Sequence, residues 1–128
     1  MSSGFLRRHH PPPSLRPNET RRITAGLDAY YQGDYQRAYQ LCLMPAEHGI
    51  TQAQIVLGLM YAIGQYVPQD CIIALMWFTF AANSGDQKAQ IARTLLSRLM
   101  SPAQIAQAQQ RIADFEMKSS TIVTNLMC

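Results

Sequence analysis

Charge is scarce in this sequence. Only 15% of its 128 residues are Asp, Glu, Lys or Arg, against roughly a quarter in an ordinary globular domain. The apolar share, 48%, is that of one folded domain, or one domain with a tail. Long apolar runs are missing as well. None reaches the roughly 18 residues that a membrane-spanning helix needs. Cysteine is rare and odd in number: Cys42, Cys71 and Cys128. That excludes a disulfide scaffold. The three histidines are His9, His10 and His48, and no His-Glu-x-x-His helix exists. No Gly-rich loop could cradle a phosphate, and no spacing suggests a nucleophile beside a base. The expectation is a non-enzyme, with no catalytic residue, cofactor, metal or small-molecule substrate.

The net charge of +3 is unevenly placed. Residues 1–22 hold Arg7, Arg8, Arg16, Arg21 and Arg22 against Glu19 alone, a net +4. The remaining residues hold six basic and seven acidic side chains, a net −1. Pro11, Pro12, Pro13 and Pro17 lie in the same basic stretch. Proline fixes φ and donates no N–H, so residues 1–21 read as a disordered basic tail. Gly4-Phe5-Leu6 is followed at once by Arg7-Arg8-His9-His10. That leaves no apolar core for a secretory signal, so the expected location is cytoplasmic, or periplasmic if the true start differs.

The body repeats itself. Asp34, Ala38, Ala46, Gly49, Ala53 and Gln54 recur 36 residues later as Asp70, Ala74, Ala82, Gly85, Ala89 and Gln90. Upstream the offset is 31, matching Tyr30 to Tyr61 and Gly33 to Gly64. The second copy therefore carries five extra residues between Gly64 and Asp70. Self-similarity at this period signals stacked supersecondary units.

Local signals define each unit as helix, loop, helix. In the second copy a helix begins after Thr51 and is apolar on nearly all sides, as a helix buried by several neighbours is. Gly64 closes it. Pro68 keeps Val67 out of helix. Asp70 caps the next helix, which Gly85 ends. Ala53, Leu57, Gly58 and Tyr61 share one face of the first helix. Ala74, Trp77, Ala81 and Ala82 form the matching face of the second. In the first copy Thr20 caps a helix ended by Gly33, and Asp34 starts one ended by Gly49. Pro45 should kink or shorten that helix, because it has no N–H to donate. In the third copy a helix spans 87–100, with Ala89, Ala92 and Leu96 inward. Ser101-Pro102-Ala103-Gln104 then opens a closing helix that runs to about Lys118. Residues 119–128 should fray.

Residues 53–90 resemble a Sel-1-like repeat, a relative of the tetratricopeptide repeat. Ala53, Leu57-Gly58, Tyr61, Gly64, Val67, Asp70, Ala74, Trp77, Ala81-Ala82 and Gly85 match its pattern. The one departure is Tyr66, where the family loop usually has a second glycine. If residue 66 needs positive φ, tyrosine is strained there. Residues 25–52 resemble a shortened copy. The segment after Ser101 resembles the closing helix of small bacterial members. The resemblance implies an all-α, right-handed α-α solenoid of about two and a half to three hairpins with a closing C-terminal helix, over residues 22–118. It also implies a scaffold or adaptor. Disulfide-bearing relatives pair cysteines at a fixed spacing that Cys42, Cys71 and Cys128 do not share, so reduced thiols are expected.

Three functional readings follow. In the first, the chain holds a protein or peptide on the concave face formed by the first helix of each hairpin, or pairs with a second copy. The outward candidates are Arg22, Asp28, Val56, Met60, Ile63 and Arg93. Exposed Val56, Met60 and Ile63 would form a docking patch, whereas buried ones would merely pack on neighbouring helices. In the second, the arginine tail binds nucleic acid or another anionic surface, an unlikely partner for so few arginines. In the third, the chain is a degraded repeat with no dedicated partner.

Overall fold

The computed structural model describes residues 17–127, with side chains through Lys118. Residues 1–16, most of the expected tail, and Cys128 lie outside the described residues. Six helices and no strand occupy the described residues. They are α1 (Pro17–Tyr31), α2 (Tyr35–Glu47), α3 (Thr51–Ile63), α4 (Cys71–Asn83), α5 (Gln87–Arg98) and α6 (Pro102–Met127). The chain is an all-α helical-repeat solenoid.

The start of α1 falls earlier than the expected Thr20 cap. Proline suits a first helical position, where its missing N–H has no partner to lose. Glu19 in the first turn favours the positive end of the helix dipole. At the other end, α6 continues to Met127, so the backbone expected to fray from 119 is helical. The N-terminus of α6 forms as its sequence predicts. Gln104 accepts from the Ser101 N–H at 2.9 Å, and the Ser101 hydroxyl accepts from the Gln104 N–H at 3.2 Å.

Successive helices pack against each other up to α5, and α6 packs on α4. This explains the two helices that are apolar all round. α3 touches α1, α2 and α4, while α4 touches α3, α5 and α6. A helix enclosed on several sides keeps little surface for water. The main core joins Ile23, Ala38, Cys42, Ala53, Leu57 and Trp77, among others. Each large side chain fully buried here contributes about 1.5–3 kcal/mol. Gly58 sets the α3–α4 spacing. A Cβ built there would lie 2.6 Å from the Phe78 ring, so any larger residue pushes the helices apart.

The repeat offset is written in hydrogen bonds. Gln54 Nε2 donates to the Ala46 carbonyl at 3.1 Å, and Gln90 Nε2 donates to the Ala82 carbonyl at 3.4 Å. The Ile50 N–H donates to the Pro45 carbonyl, and the Asp86 N–H to the Ala81 carbonyl. Each pair is separated by 36 residues. One glutamine per copy thus ties a helix to a carbonyl at the preceding helix end, which also accepts from the N–H of the turn glycine. Gly49 and Gly85, at φ 93° and 97°, make the turns that permit this.

Pro45 behaves differently from expectation. Helix α2 passes through it and stops at Glu47. That residue is equivalent to Asn83, where α4 stops. The glycine turn, not the proline, ends the helix.

The five extra residues of the second copy fold back on the first. Tyr30 donates its hydroxyl to Gln65 Oε1 at 2.9 Å. Tyr66 lies with its ring centroid 5.5 Å from that of Tyr39. Gln69 Nε2 donates to the Ala62 carbonyl. Tyr66 does adopt positive φ, 68°. A left-handed conformation costs a non-glycine residue roughly 1–2 kcal/mol. The ring contact with Tyr39 offsets part of that.

The third helix pair is splayed. Leu96 of α5 meets Leu75, Met100, Ile105 and Ala108 near the turn. Beyond it α6 leans on α4, with Phe115 stacked edgewise on Trp77 and against Phe80. Of the expected inward residues of α5, Ala89 is buried, and Ala92 and Leu96 are half-buried.

Candidate functional site

A cleft of about 600 Å³ opens where α1, α3 and the start of α5 meet. Leu27, Tyr30 and Tyr31 of α1 form one wall. Ile55, Val56 and Leu59 of α3 form the floor. Asp86, Gln87 and Lys88 close one edge. Tyr31 is 82% exposed and offers a whole ring to solvent. Tyr30 is held by Gln65 and by its tilted contact with Tyr35. Burial, ahead of the neighbouring tyrosines, raises its hydroxyl pKa above the ordinary value, so it remains a neutral donor.

The polar edge is fixed by helix geometry. Asp86 caps α5, its Oδ1 accepting from the Ala89 N–H at 2.8 Å. Its carboxylate is thus committed to the backbone. The walls are rings and aliphatic chains, a surface suited to side chains of an extended or helical segment. Among the described residues no three of His, Cys, Asp and Glu converge as metal ligands would.

The residues singled out from sequence do not gather here. Val56 reaches the cleft floor but is almost wholly buried. Met60 is 0% exposed and belongs to the core, so its expected outward position is corrected. Ile63 is exposed at the end of α3. Arg22 and Asp28 are exposed on α1, and the Arg22 guanidinium lies 3.6 Å from Met44 Sδ. Arg93 sits elsewhere, in a smaller cleft of about 290 Å³ between α4, α5 and α6. Its Nη1 is 3.5 Å from Asn83 Oδ1.

Among the cleft residues missed by sequence reasoning are Tyr31, Ile55, Leu59 and Lys88. In an all-apolar helix the stripe at 56, 60 and 63 looks the same as that at 55, 59 and 63. Periodicity alone does not say which faces inward. The offset of 36 was the available signal, since it pairs Ile55 with Ile91 on a helix that has a polar face.

The structural repeat residues sit as their types require. Leu57 and Ala74 are fully buried, as are Ala81 and nearly all of Ala82 and Trp77. Asp70 Oδ1 accepts from the Ile72 and Ile73 N–H groups at 3.0 and 3.1 Å. Gly64 takes φ 87° at the C-cap of α3. Tyr61 shares a hydroxyl contact of 3.1 Å with Tyr39, and burial raises its pKa strongly.

Helical hairpins stacked through repeated turn chemistry define a helical-repeat solenoid. The Sel1 repeat family model matches residues 51–86, spanning α3, its loop, α4 and the turn into α5. Residues 51–86 are thus similar to a Sel1 repeat. No curated protein and no solved structure matches it. Sel1 repeats are generally protein–protein interaction modules, and the family is typically non-enzymatic. No helix among the described residues is long and apolar enough to cross a membrane.

Proposed function

We propose that this chain is a non-enzymatic adaptor that holds a partner polypeptide in the cleft between α1, α3 and the start of α5. The observation that carries this is the cleft itself. Exposed Tyr31 faces half-buried Ile55 and Leu59, with a charged edge at Asp86 and Lys88. Aromatic side chains supply large contact area at small entropic cost, and they dominate interface energetics. The cleft lies on α1, α3 and the start of α5, the first helices of the three pairs.

The test is a displayed library of random peptides selected against the full chain. Selected peptides are then titrated into Tyr31→Ala, Leu59→Ser and a variant lacking residues 1–16. The adaptor reading expects Tyr31→Ala and Leu59→Ser to weaken binding about tenfold or more, in line with a contact worth at least 1.4 kcal/mol. It expects the tail deletion to change nothing. Binding that survives both cleft variants, or that disappears with residues 1–16 and with added salt, overturns it in favour of the arginine tail.

A further inference from the structure

Helix α5 carries an apolar stripe that the cleft does not use. Ile91, Leu95 and the C-cap residue Leu99 recur at every fourth residue and are 58%, 55% and 85% exposed. Residues at i, i+4 and i+8 lie on one side of a helix. The opposite side of α5 is occupied. Ala89 is buried against Ala81, Ala82 and Ile55, while Leu96 packs beside Met100.

The repeat offset says what kind of object fits such a stripe. Thirty-six residues earlier, the same positions of α3 are Ile55, Leu59 and Ile63. There α5 itself covers the start of the stripe, with Ile55 packed on Ala89. A helix is therefore the shape that this register accommodates. The two stripes differ in their flanks. Around α3 they are Gln52 and Ala62, whereas the same positions of α5 are Lys88 and Arg98. Residues 87–99 contain no Asp or Glu. The copy whose stripe is exposed is the one bordered by positive charge alone.

We propose that the outer face of α5 docks an amphipathic helix of a partner protein, with an apolar stripe set against Ile91, Leu95 and Leu99 and with acidic residues opposite Lys88 and Arg98. Of these residues only Lys88 also borders the α1–α3 cleft, so the apolar stripe is distinct from it. A helix laid on an apolar face is a recurrent recognition mode, and opposite charges at its rim set orientation and partner choice. A second copy of this chain fits poorly. Pairing α5 with itself brings Lys88 and Arg98 of both copies together with no acid between them. The exposed face also has about eight residues, against roughly 20–30 a side in a standard stable interface. The segment of residues 1–16 is basic and meets the same repulsion.

Two synthetic 20-residue helical peptides provide the test. Both carry leucine at i, i+4, i+7 and i+11, one flanked by glutamate and the other by lysine. Fluorescence anisotropy with the full-length chain at low salt should show the glutamate peptide binding at least about tenfold tighter. Raising the salt should narrow the gap as the charges are screened. Leu95→Gln should weaken the glutamate peptide about tenfold, and Lys88→Glu with Arg98→Glu should reverse the preference. Tyr31→Ala should change neither affinity, which separates this surface from the cleft. Circular dichroism confirms that each variant retains its helix. Equal affinity for both peptides overturns the proposal, as does binding indifferent to Leu95→Gln. It also fails if sedimentation shows a dimer that Leu95→Gln dissolves, since the stripe would then be a self-interface.

Discussion

The hairpin of α3 and α4 and the pair of α5 and α6 share one register but close differently. In the first, Gly58 admits the Phe78 ring at van der Waals contact and the two helices run together. In the second, α6 leaves α5 after the turn and packs its aromatic residues on Trp77 of α4. Equivalent glycine turns into the two pairs therefore do not ensure an identical hairpin. The turn glycine and the tethering glutamine position the starts of α3 and α5, and Asp86 also caps α5, whereas Ile50 before α3 makes no side-chain cap. What the helix then touches depends on which large side chains line its length. Helix α4 is the shared element, and its loss should dissolve both halves.

The largest expected effect follows from that. Trp77 lies in the main core and stacks with Phe80 and Phe115. Trp77→Ala should cost about 3–5 kcal/mol, the range for deleting a large buried aromatic residue. Chemical denaturation followed by helical circular dichroism should show one transition displaced as a whole. Separate transitions for the two halves would mean that α4 does not couple them.

Alkali should attack the closed side next. Cys42 is fully buried against Gly26, and burial pushes its thiol from an ordinary 9.0 up to about 11. The unfolded chain therefore loses this proton first. Stability is complete below pH 9 and falls as pH rises from 9 to 11. The two-unit difference corresponds to about 3 kcal/mol at most. Tyr61 and Tyr30 shift upward too and add to the same decline. Cys42→Ala should flatten the fall between pH 9 and 11, measured as the denaturation midpoint against pH. An unchanged slope assigns the alkaline loss to the tyrosines.

Removing caps should give a smaller and more local contrast. Asp70→Ala strips two hydrogen bonds from the start of α4 and should cost about 1 kcal/mol of global stability. Asp86→Ala strips one from α5. Since α5 has an exposed outer face, the second change should speed amide exchange in α5 more than it moves the global midpoint. Equal global losses would make α5 as tightly coupled as α4.

Much of this architecture was legible in the sequence, because its punctuation is chemical. Asp34, Asp70, Gly33, Gly49, Gly64 and Gly85 mark helix boundaries by capping and by positive φ. Those requirements act on single residues. The face assignments were less legible. Met60 read as outward because α3 is apolar throughout, and only the three-sided enclosure by α1, α2 and α4 places it in the core. Pro45 read as a breaker because a missing N–H is visible in sequence. Its place two residues before the helix end that the Gly49 turn sets is not. The cleft was legible only as the face of the first helices. Tyr31 gave no warning, since an aromatic residue near a helix end reads as core.

The smallest effect gives the sharpest form of the comparison. Ile55 and Ile91 occupy equivalent positions 36 residues apart. Ile55 packs on Ala81, Ala82 and Ala89, while Ile91 is mostly exposed. The same substitution at both therefore isolates the contribution of the covering helix. Ile55→Gln should cost about 1–2 kcal/mol, as polar replacements in a packed site do. Ile91→Gln should stay within about 0.5 kcal/mol, as changes on an open surface do. The denaturation midpoints of the two variants, compared at several protein concentrations, decide the matter. If Ile91→Gln costs as much as Ile55→Gln, and costs more at higher concentration, the stripe is buried between copies. If the difference holds at every concentration, the two faces share a register and differ only in whether a helix has arrived to cover them.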